Sequence, residues 1–172
     1  QPWLIYAVSE VWQGRIPLWN PHVFAGSPFF ANPQSALLFP LNWVALIVPV
    51  APAFALIAIL KVASIGLATY WFLRVRALHP LAALMGSISF MWSGLVIVWL
   101  QWTYAAALIF VPMLLASVEC LRIRPGRRPI ALVALTVALG VWAGYPQGLA
   151  LALASDSAWA LWRVHGAGVP IL

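Results

Sequence analysis

The chain has 172 residues, of which 65% are hydrophobic and only 7% are charged, and its formal net charge is +6. A soluble domain of this length cannot hide so much apolar surface from water, so the composition excludes an ordinary soluble protein and predicts membrane lipid as a partner. Nucleic acid is excluded as a partner, because the Lys and Arg residues lie mainly between apolar runs and not on one basic face.

The first predicted element is a short amphipathic helix over residues 2–13, with apolar residues at helical spacing and Gly14 just past its end. We expect it to lie on the membrane surface. Residues 14–42 then contain five prolines and two Asn-Pro steps, which exclude a long helix and indicate a structured loop. The apolar stretch 41–50 is too short to span a bilayer, so we expect it at the interface.

Five membrane-spanning helices are predicted for the rest of the chain, over residues 51–73, 81–100, 104–121, 130–144 and 148–162. A single helix across the last two would be about 50 Å long, against a hydrocarbon core of about 30 Å, so a tight hairpin with its turn at 144–148 is favoured. The predicted fold is all-α. A polytopic transmembrane bundle (51–172) follows a long extracytoplasmic loop (1–50) that carries a short amphipathic helix.

The arginines between spans predict the orientation, because basic residues near the ends of spans stay on the cytoplasmic side. With five spans, every basic cluster falls on one face, and these clusters comprise Arg74, Arg76, Arg122, Arg124, Arg127, Arg128 and Arg163. The opposite face collects the loop, the connection 101–103 and the turn 144–147. The chain starts at Gln1, and residues 168–172 begin another apolar stretch, so we expect both ends to continue in a longer protein.

Three polar residues of the loop are candidates for chemistry. Glu10 is the only carboxylate there and could act as a general base or hold a divalent cation, although its helical spacing with Tyr6 and Gln13 favours a solvated helix face. Arg15 and His22 are candidates for contacting a phosphate. No Cys/His cluster has metal-ligand spacing, so no metal site is predicted and no cofactor is certain.

Three charged residues lie inside the predicted spans. Lys61 and Asp156 are expected to face the bundle interior, because a charge at the bilayer centre is costly unless it is paired or hydrated. Their similar depth along their helices predicts an ion pair. The alternative is that each contacts water in a cavity or a backbone carbonyl, with Lys61 reaching towards a bound phosphate. Glu119, three residues before Arg122, is interpreted as a local ion pair of little energetic consequence and no function.

The loop sequences GRIPLWNP (14–21) and GSPFFANPQSA (26–36) resemble those of the bacterial YfhO family of multi-pass membrane proteins, which are similar to GT-C glycosyltransferases. The resemblance continues through the helix that contains Lys61, the FMWSG stretch at 90–94 and the GYPQ turn at 144–147. It implies transfer of a sugar from a polyprenyl-phosphate carrier to a cell-envelope glycopolymer acceptor, on the outer face of the bacterial cytoplasmic membrane. It also implies an acidic residue just before Gln1 as base or metal partner.

The loop and the turn are expected to form the substrate site that this resemblance implies. The donor phosphate is expected to contact Arg15 and His22, and the sugar pocket is expected to be shaped by Trp19, Asn20, Asn32 and Gln34 and closed by Gln147. Two alternatives remain open. One is a transporter or flippase with Lys61 and Asp156 along its pathway, and the other is a catalytically silent assembly protein.

Overall fold

The structure is a computed structural model that describes residues 2–165, so the further apolar stretch expected at 168–172 lies outside the described residues. Most of the described chain is helical, and the strands in it are the two short ones of a single ribbon, which confirms the all-α prediction. By length and composition, three segments are able to cross a membrane: Val50–Val75, Pro80–Val98 and Thr103–Ile123. The chain therefore fits a membrane protein.

The first part of the chain folds into short elements. Helix α1 (Pro2–Trp12) is followed by an antiparallel hairpin of β1 (Trp19–Asn20) and β2 (Ser27–Pro28), by 3₁₀ helices at Pro33–Ser35 and Pro40–Trp43, and by α2 (Val44–Ile47). The apolar face of α1 buries Leu4 and Val8 against Ala45 of α2 and the start of the next helix. This packing confirms the predicted amphipathic helix and attaches it to the bundle.

Seven helices form the remainder. They are α3 (Val50–Val75), α4 (Pro80–Met91), α5 (Gly94–Val98), α6 (Thr103–Ala107), α7 (Phe110–Ile123), α8 (Arg127–Trp142) and α9 (Pro146–His165). Helices α8 and α9 form where the last two spans were predicted, but neither is among the three segments that are long and apolar enough to cross. Helix α7 is central, since it packs against α3, α8 and α9.

The second and third predicted spans are interrupted. Helix α6 ends at Ala107 and α7 begins at Phe110, because Pro112 has no N–H for the Leu108 carbonyl and its ring crowds that carbonyl. The break between α4 and α5 lies at Trp92 and Ser93, just before Gly94, which is a poor helix former. The final turn is also shorter than predicted. Pro146 already starts α9, where its missing N–H is not needed.

The main apolar core joins the loop to the bundle. Ala36 and Phe39 of the loop are buried with Ile65 of α3 and Phe110 of α7 in one cluster. The rings of Phe39 and Phe110 meet edge to face, with their centroids 6.2 Å apart. The loop is therefore packed onto one end of the helices, and the cavity described next lies at this junction.

Candidate functional site

A cavity of about 420 Å³ lies at the end of the bundle where the loop and the helices meet. Its wall combines the start of α1, the 3₁₀ segments of the loop, the connection between α5 and α6, and the end of α8. Its polar side chains are those of Gln34, Ser35, Asn42, Lys61, Gln101 and Thr103, and its aromatic ones are those of Trp3, Phe39 and Trp102. The segments predicted to share one face therefore meet at one end of the bundle.

A close backbone approach holds the loop against the turn between α8 and α9. Gly144 has φ +85°, and a Cβ there would lie 2.6 Å from the Pro33 carbonyl oxygen and 2.8 Å from the Ala36 Cβ. Glycine is required on both counts, because it has no Cβ and adopts positive φ freely. Asn42 Nδ2 also donates to the Ala36 carbonyl oxygen at 2.9 Å, which fixes the same segment within the loop.

Lys61 is the one charged residue of the cavity wall among the described residues, and it is only 6% exposed. Its Nζ donates to the carbonyl oxygens of Leu100 at 3.3 Å and Trp102 at 3.1 Å. An ammonium carries three N–H donors, so within the described chain one donor remains for a ligand. Side chains on a helix lean towards its N-terminus, and α3 begins at Val50, so the lysine reaches towards the loop.

The predicted ion pair between Lys61 and Asp156 is wrong. No ion pair joins them in residues 2–165, and the alternative of a backbone-carbonyl contact is confirmed for Lys61. Asp156 is 3% exposed, and neither of its carboxylate oxygens has a hydrogen-bond partner among the described residues. The long lysine side chain reaches the loop end of the bundle, whereas the short aspartate side chain stays at its own turn of α9.

Two asparagines predicted to shape the sugar pocket hold the loop itself together. Asn20 Oδ1 accepts from the His22 backbone N–H at 2.9 Å, and Asn32 Oδ1 accepts from the Gln34 backbone N–H at 3.0 Å. Asparagine favours such local turns because its side-chain oxygen replaces a backbone acceptor. Asn20 is also buried. These side chains therefore shape the loop, and neither lines the cavity wall.

Trp19 and His22 lie on the hairpin beside α1, outside the cavity wall. Tyr6 Oη donates to the Trp19 carbonyl oxygen at 2.7 Å, and the Tyr6 ring meets the rings of His22 and Phe29 edge-on. Tyr6 thus attaches the hairpin to α1. Its helical spacing with Glu10 and Gln13 had predicted that it would lie on a solvated helix face. Gly26 makes room for the Trp19 indole, since a Cβ there would lie 2.6 Å from the indole Nε1.

Glu10 and Arg15 form a surface ion pair. Arg15 Nε and Nη2 each lie 2.9 Å from a Glu10 carboxylate oxygen. The hydrogen bond from Arg15 holds the pKa of Glu10 below its ordinary value, and the same bond raises the pKa of Arg15. A carboxylate with a lowered pKa is a weaker base, and Arg15 already has a counter-charge. No group of three His, Cys, Asp or Glu residues that could hold a metal ion occurs in the described part of the chain.

Of the predicted binding residues, only Gln34 belongs to the cavity wall. Gln147 is exposed on the first turn of α9 and lies outside the wall. Asn42 and the polar pair Gln101 and Thr103 also line the cavity, although only the position of the connection 101–103 was predicted. A signal for the pair was present, because two polar residues between two apolar spans mark a connection that emerges from the bilayer.

At the opposite end of the bundle, a buried carboxylate joins three helices. Glu119 is 1% exposed, and its Oε1 accepts from Arg76 at 2.8 Å, Arg122 at 2.7 Å and Arg163 at 3.2 Å. The local pair with Arg122 is present, but the interpretation of Glu119 as a purely local ion pair is wrong, because its other partners are 43 and 44 residues away. The convergence confirms that these three arginines share one end of the bundle.

The cavity is suited to an anionic ligand that carries hydroxyl groups. An ammonium stabilises negative charge, side-chain amides donate to and accept from hydroxyls, and indole rings stack on the apolar faces of sugars.

Searches against protein-family models, curated proteins and solved structures give no match to this chain.

Proposed function

We propose that this chain belongs to the YfhO family and acts as a GT-C-like glycosyltransferase of the bacterial cytoplasmic membrane. In this proposal it transfers a sugar from a polyprenyl-phosphate donor to a cell-envelope glycopolymer, and the cavity is the donor site on the outer face. The observation that carries the proposal is the buried Lys61 ammonium in a wall that also offers amide and indole groups.

Lys61 is the phosphate contact in this proposal. Its environment is poor in water, so its attraction to an anion is stronger than that of an exposed cation. It is also fixed in place, because Leu100 and Trp102 each accept one of its hydrogen bonds. We favour Lys61 over Arg15 for this role, since Arg15 is exposed and already paired with Glu10.

The sugar would occupy the remainder of the cavity. A volume of about 420 Å³ lies within the range of roughly 300–1,000 Å³ that is usual for small-molecule sites. Gln34, Asn42 and Gln101 offer amide groups to its hydroxyls, and Trp3 and Trp102 offer indole faces. Few of these side chains need to be ordered on binding, because the loop is already packed against the bundle.

A second groove supports a lipid-linked donor over a soluble one. This groove, of about 390 Å³, runs along α3 and α7 and is lined mainly by apolar residues such as Leu67, Trp71 and Met113. Phe39 belongs both to this groove and to the cavity wall, so the two are adjacent. A polyprenyl chain could follow the groove while its phosphate contacts Lys61. A water-soluble nucleotide sugar has no lipid chain that would occupy this apolar groove.

The transfer step assigns one role to Lys61. The acceptor hydroxyl oxygen bonds to the anomeric carbon while the bond from that carbon to the phosphate oxygen breaks. Lys61 stabilises the charge left on the departing polyprenyl phosphate. The hydroxyl proton passes to a general base, which the family resemblance identifies as an acidic residue. None of the three carboxylates of this chain lines the cavity.

Binding of a radiolabelled synthetic polyprenyl-phosphate glucose to the full-length protein in detergent tests the proposal. Replacing Lys61 with Met removes a charge-assisted hydrogen bond of about 1.5–3 kcal/mol, so affinity should fall roughly 10- to 100-fold. Arg15→Gln is the matched control, because it removes a cation outside the wall and should leave affinity within about twofold. Wild-type affinity in Lys61→Met would refute the phosphate contact.

A second variant keeps the test decisive if Lys61→Met does not fold. Gln34 is exposed in the wall, and its side chain makes no hydrogen bond within the described residues, so Gln34→Ala should preserve folding and weaken sugar binding. In cells, both variants should lower envelope glycosylation without lowering the amount of inserted protein. Full glycosylation in both would contradict the enzyme assignment.

The proposed orientation has a separate test. In a protein whose Cys120 is replaced by Ala, cysteines placed at the exposed positions Gln34 and Gln147 should react with an impermeant thiol reagent in intact cells. A cysteine at Gly126, in the exposed connection between α7 and α8, should react only after the cells are broken. The reverse labelling pattern would place the cavity on the cytoplasmic side.

A further inference from the structure

The end of the bundle remote from the cavity carries an excess of positive charge on a defined group of residues. We call Glu119 and the three arginines around it, Arg76, Arg122 and Arg163, the Glu119 cluster. Three guanidinium groups face one carboxylate, so two positive charges remain unmatched within the cluster. The carboxylate accepts four hydrogen bonds from these arginines, three at Oε1 and one at Oε2.

The arginines of the cluster still reach the surface. The exposed fractions of their side chains are 26% for Arg76, 39% for Arg122 and 20% for Arg163, against 2% for Glu119. Each guanidinium has five N–H donors, and Glu119 uses only one or two of them on each arginine. The buried Glu119 carboxylate therefore holds the arginines in position, and their remaining N–H groups are left to bind a ligand.

Aromatic rings orient two of these guanidinium groups. The Trp159 ring lies 5.4 Å from Arg76 Cζ and 5.9 Å from Arg163 Cζ, and the Trp162 ring lies 6.0 Å from Arg163 Cζ. Such contacts hold the guanidinium groups in place, so less side-chain conformational entropy is lost when a ligand binds. Trp162 is 54% exposed, as expected of an indole at the boundary between lipid and water.

We propose that the Glu119 cluster binds the phosphate of an anionic phospholipid headgroup in the adjoining leaflet. The cluster lies at the ends of two segments able to cross a membrane, Val50–Val75 and Thr103–Ile123, and so at headgroup depth. Arginine forks match phosphate oxygens, and the two unmatched charges attract an anion. The exposed indole of Trp162 favours a lipid over a free phosphate ion. This site is independent of the proposed sugar transfer at the other end.

Thermal unfolding of the full chain in a maltoside detergent tests this site. Dioctanoyl phosphatidylglycerol should raise the unfolding midpoint by about 5 °C, since a ligand that binds only the folded state stabilises it. Dioctanoyl phosphatidylcholine and sodium phosphate at the same concentration should not. No shift with phosphatidylglycerol would overturn the site, and an equal shift with sodium phosphate would overturn its assignment to a lipid.

A matched pair of variants separates a built site from diffuse attraction to basic residues. Arg122→Gln and Arg128→Gln each remove one positive charge from the same end of the bundle, but only Arg122 belongs to the cluster. The phosphatidylglycerol shift should fall by at least half in Arg122→Gln and should persist in Arg128→Gln. Equal losses in both would refute the site. If Arg122→Gln does not fold, Arg163→Lys keeps the charge, loses the fork, and should also reduce the shift.

Discussion

Replacing Glu119 with Gln should destabilise the bundle more than any other change of a single charge in the described chain. The substitution keeps the size of the side chain and removes its negative charge. Arg76, Arg122 and Arg163 would then face one another without a counter-charge, and the new amide N–H groups would face donors. Repulsion between like charges and loss of acceptors act in the same direction.

The expected loss follows from the burial of the group. Breaking a buried ion pair by removing one partner costs about 3–5 kcal/mol. Because the three arginines are partly exposed and can be hydrated, we expect the lower end of that range, about 3 kcal/mol. This is a large fraction of the total stability of a typical folded domain, which is about 5–15 kcal/mol.

Unfolding in mixed micelles of maltoside and dodecyl sulfate, followed by circular dichroism, measures this loss. Glu10→Gln is the control, because it makes the same chemical change in a surface pair with Arg15. Its effect on the free energy of unfolding should be much smaller than that of Glu119→Gln. Equal effects of the two variants would refute the conclusion that the Glu119 cluster holds α3, α7 and α9 together.

Three further predictions use the same unfolding assay or its pH dependence. Asp156→Leu should stabilise the protein by about 1–3 kcal/mol, because it removes a buried carboxylate without a partner in residues 2–165, and unchanged or lower stability would contradict this. Gly144→Ala should destabilise by roughly 2–3 kcal/mol through positive φ and collision with Pro33, whereas exposed Gly126→Ala, with open space at its Cβ, should not. The ion pair of Glu10 with Arg15 stabilises the fold at pH values above the ordinary pKa of a glutamate, and this stabilisation disappears as the pH falls through the lowered pKa of Glu10. The free energy of unfolding should therefore decrease less below about pH 4.5 in Glu10→Gln than in the wild type.

Hydropathy predicted the helices because each span must be apolar along its whole length. It did not predict the interruption before α7, although the cause is local. Pro112 lies inside an apolar run, where a window average does not register the loss of one N–H. The predicted turn before α9 extends too far for a related reason. A proline indicates a turn in the sequence, but it also fits the first position of a helix, where Pro146 lies.

The candidate site was predicted in position but only partly in composition. Proline content and the basic clusters together assigned the loop, the connection 101–103 and the turn 144–147 to one end, where the cavity lies. Asn20 and Asn32 look like ligand-binding residues in the sequence, yet their side-chain oxygens are used in local turns. The partners of Glu119 were missed, because contacts between helices 43 residues apart leave no periodic signal in one sequence.

The spacing of the Glu119 cluster along the chain sets an order of events during biosynthesis. Arg76 precedes Glu119 by 43 residues, and Arg163 follows it by 44, so the carboxylate gains its last partner only after α9 has left the ribosome. Until then Arg163 is absent and the cluster is incomplete. The hydrophobic effect does not drive helices together in lipid, so polar contacts between helices contribute more to their association. We expect a nascent chain that stops before α9 to stay loosely associated and to be a preferred substrate for membrane proteases.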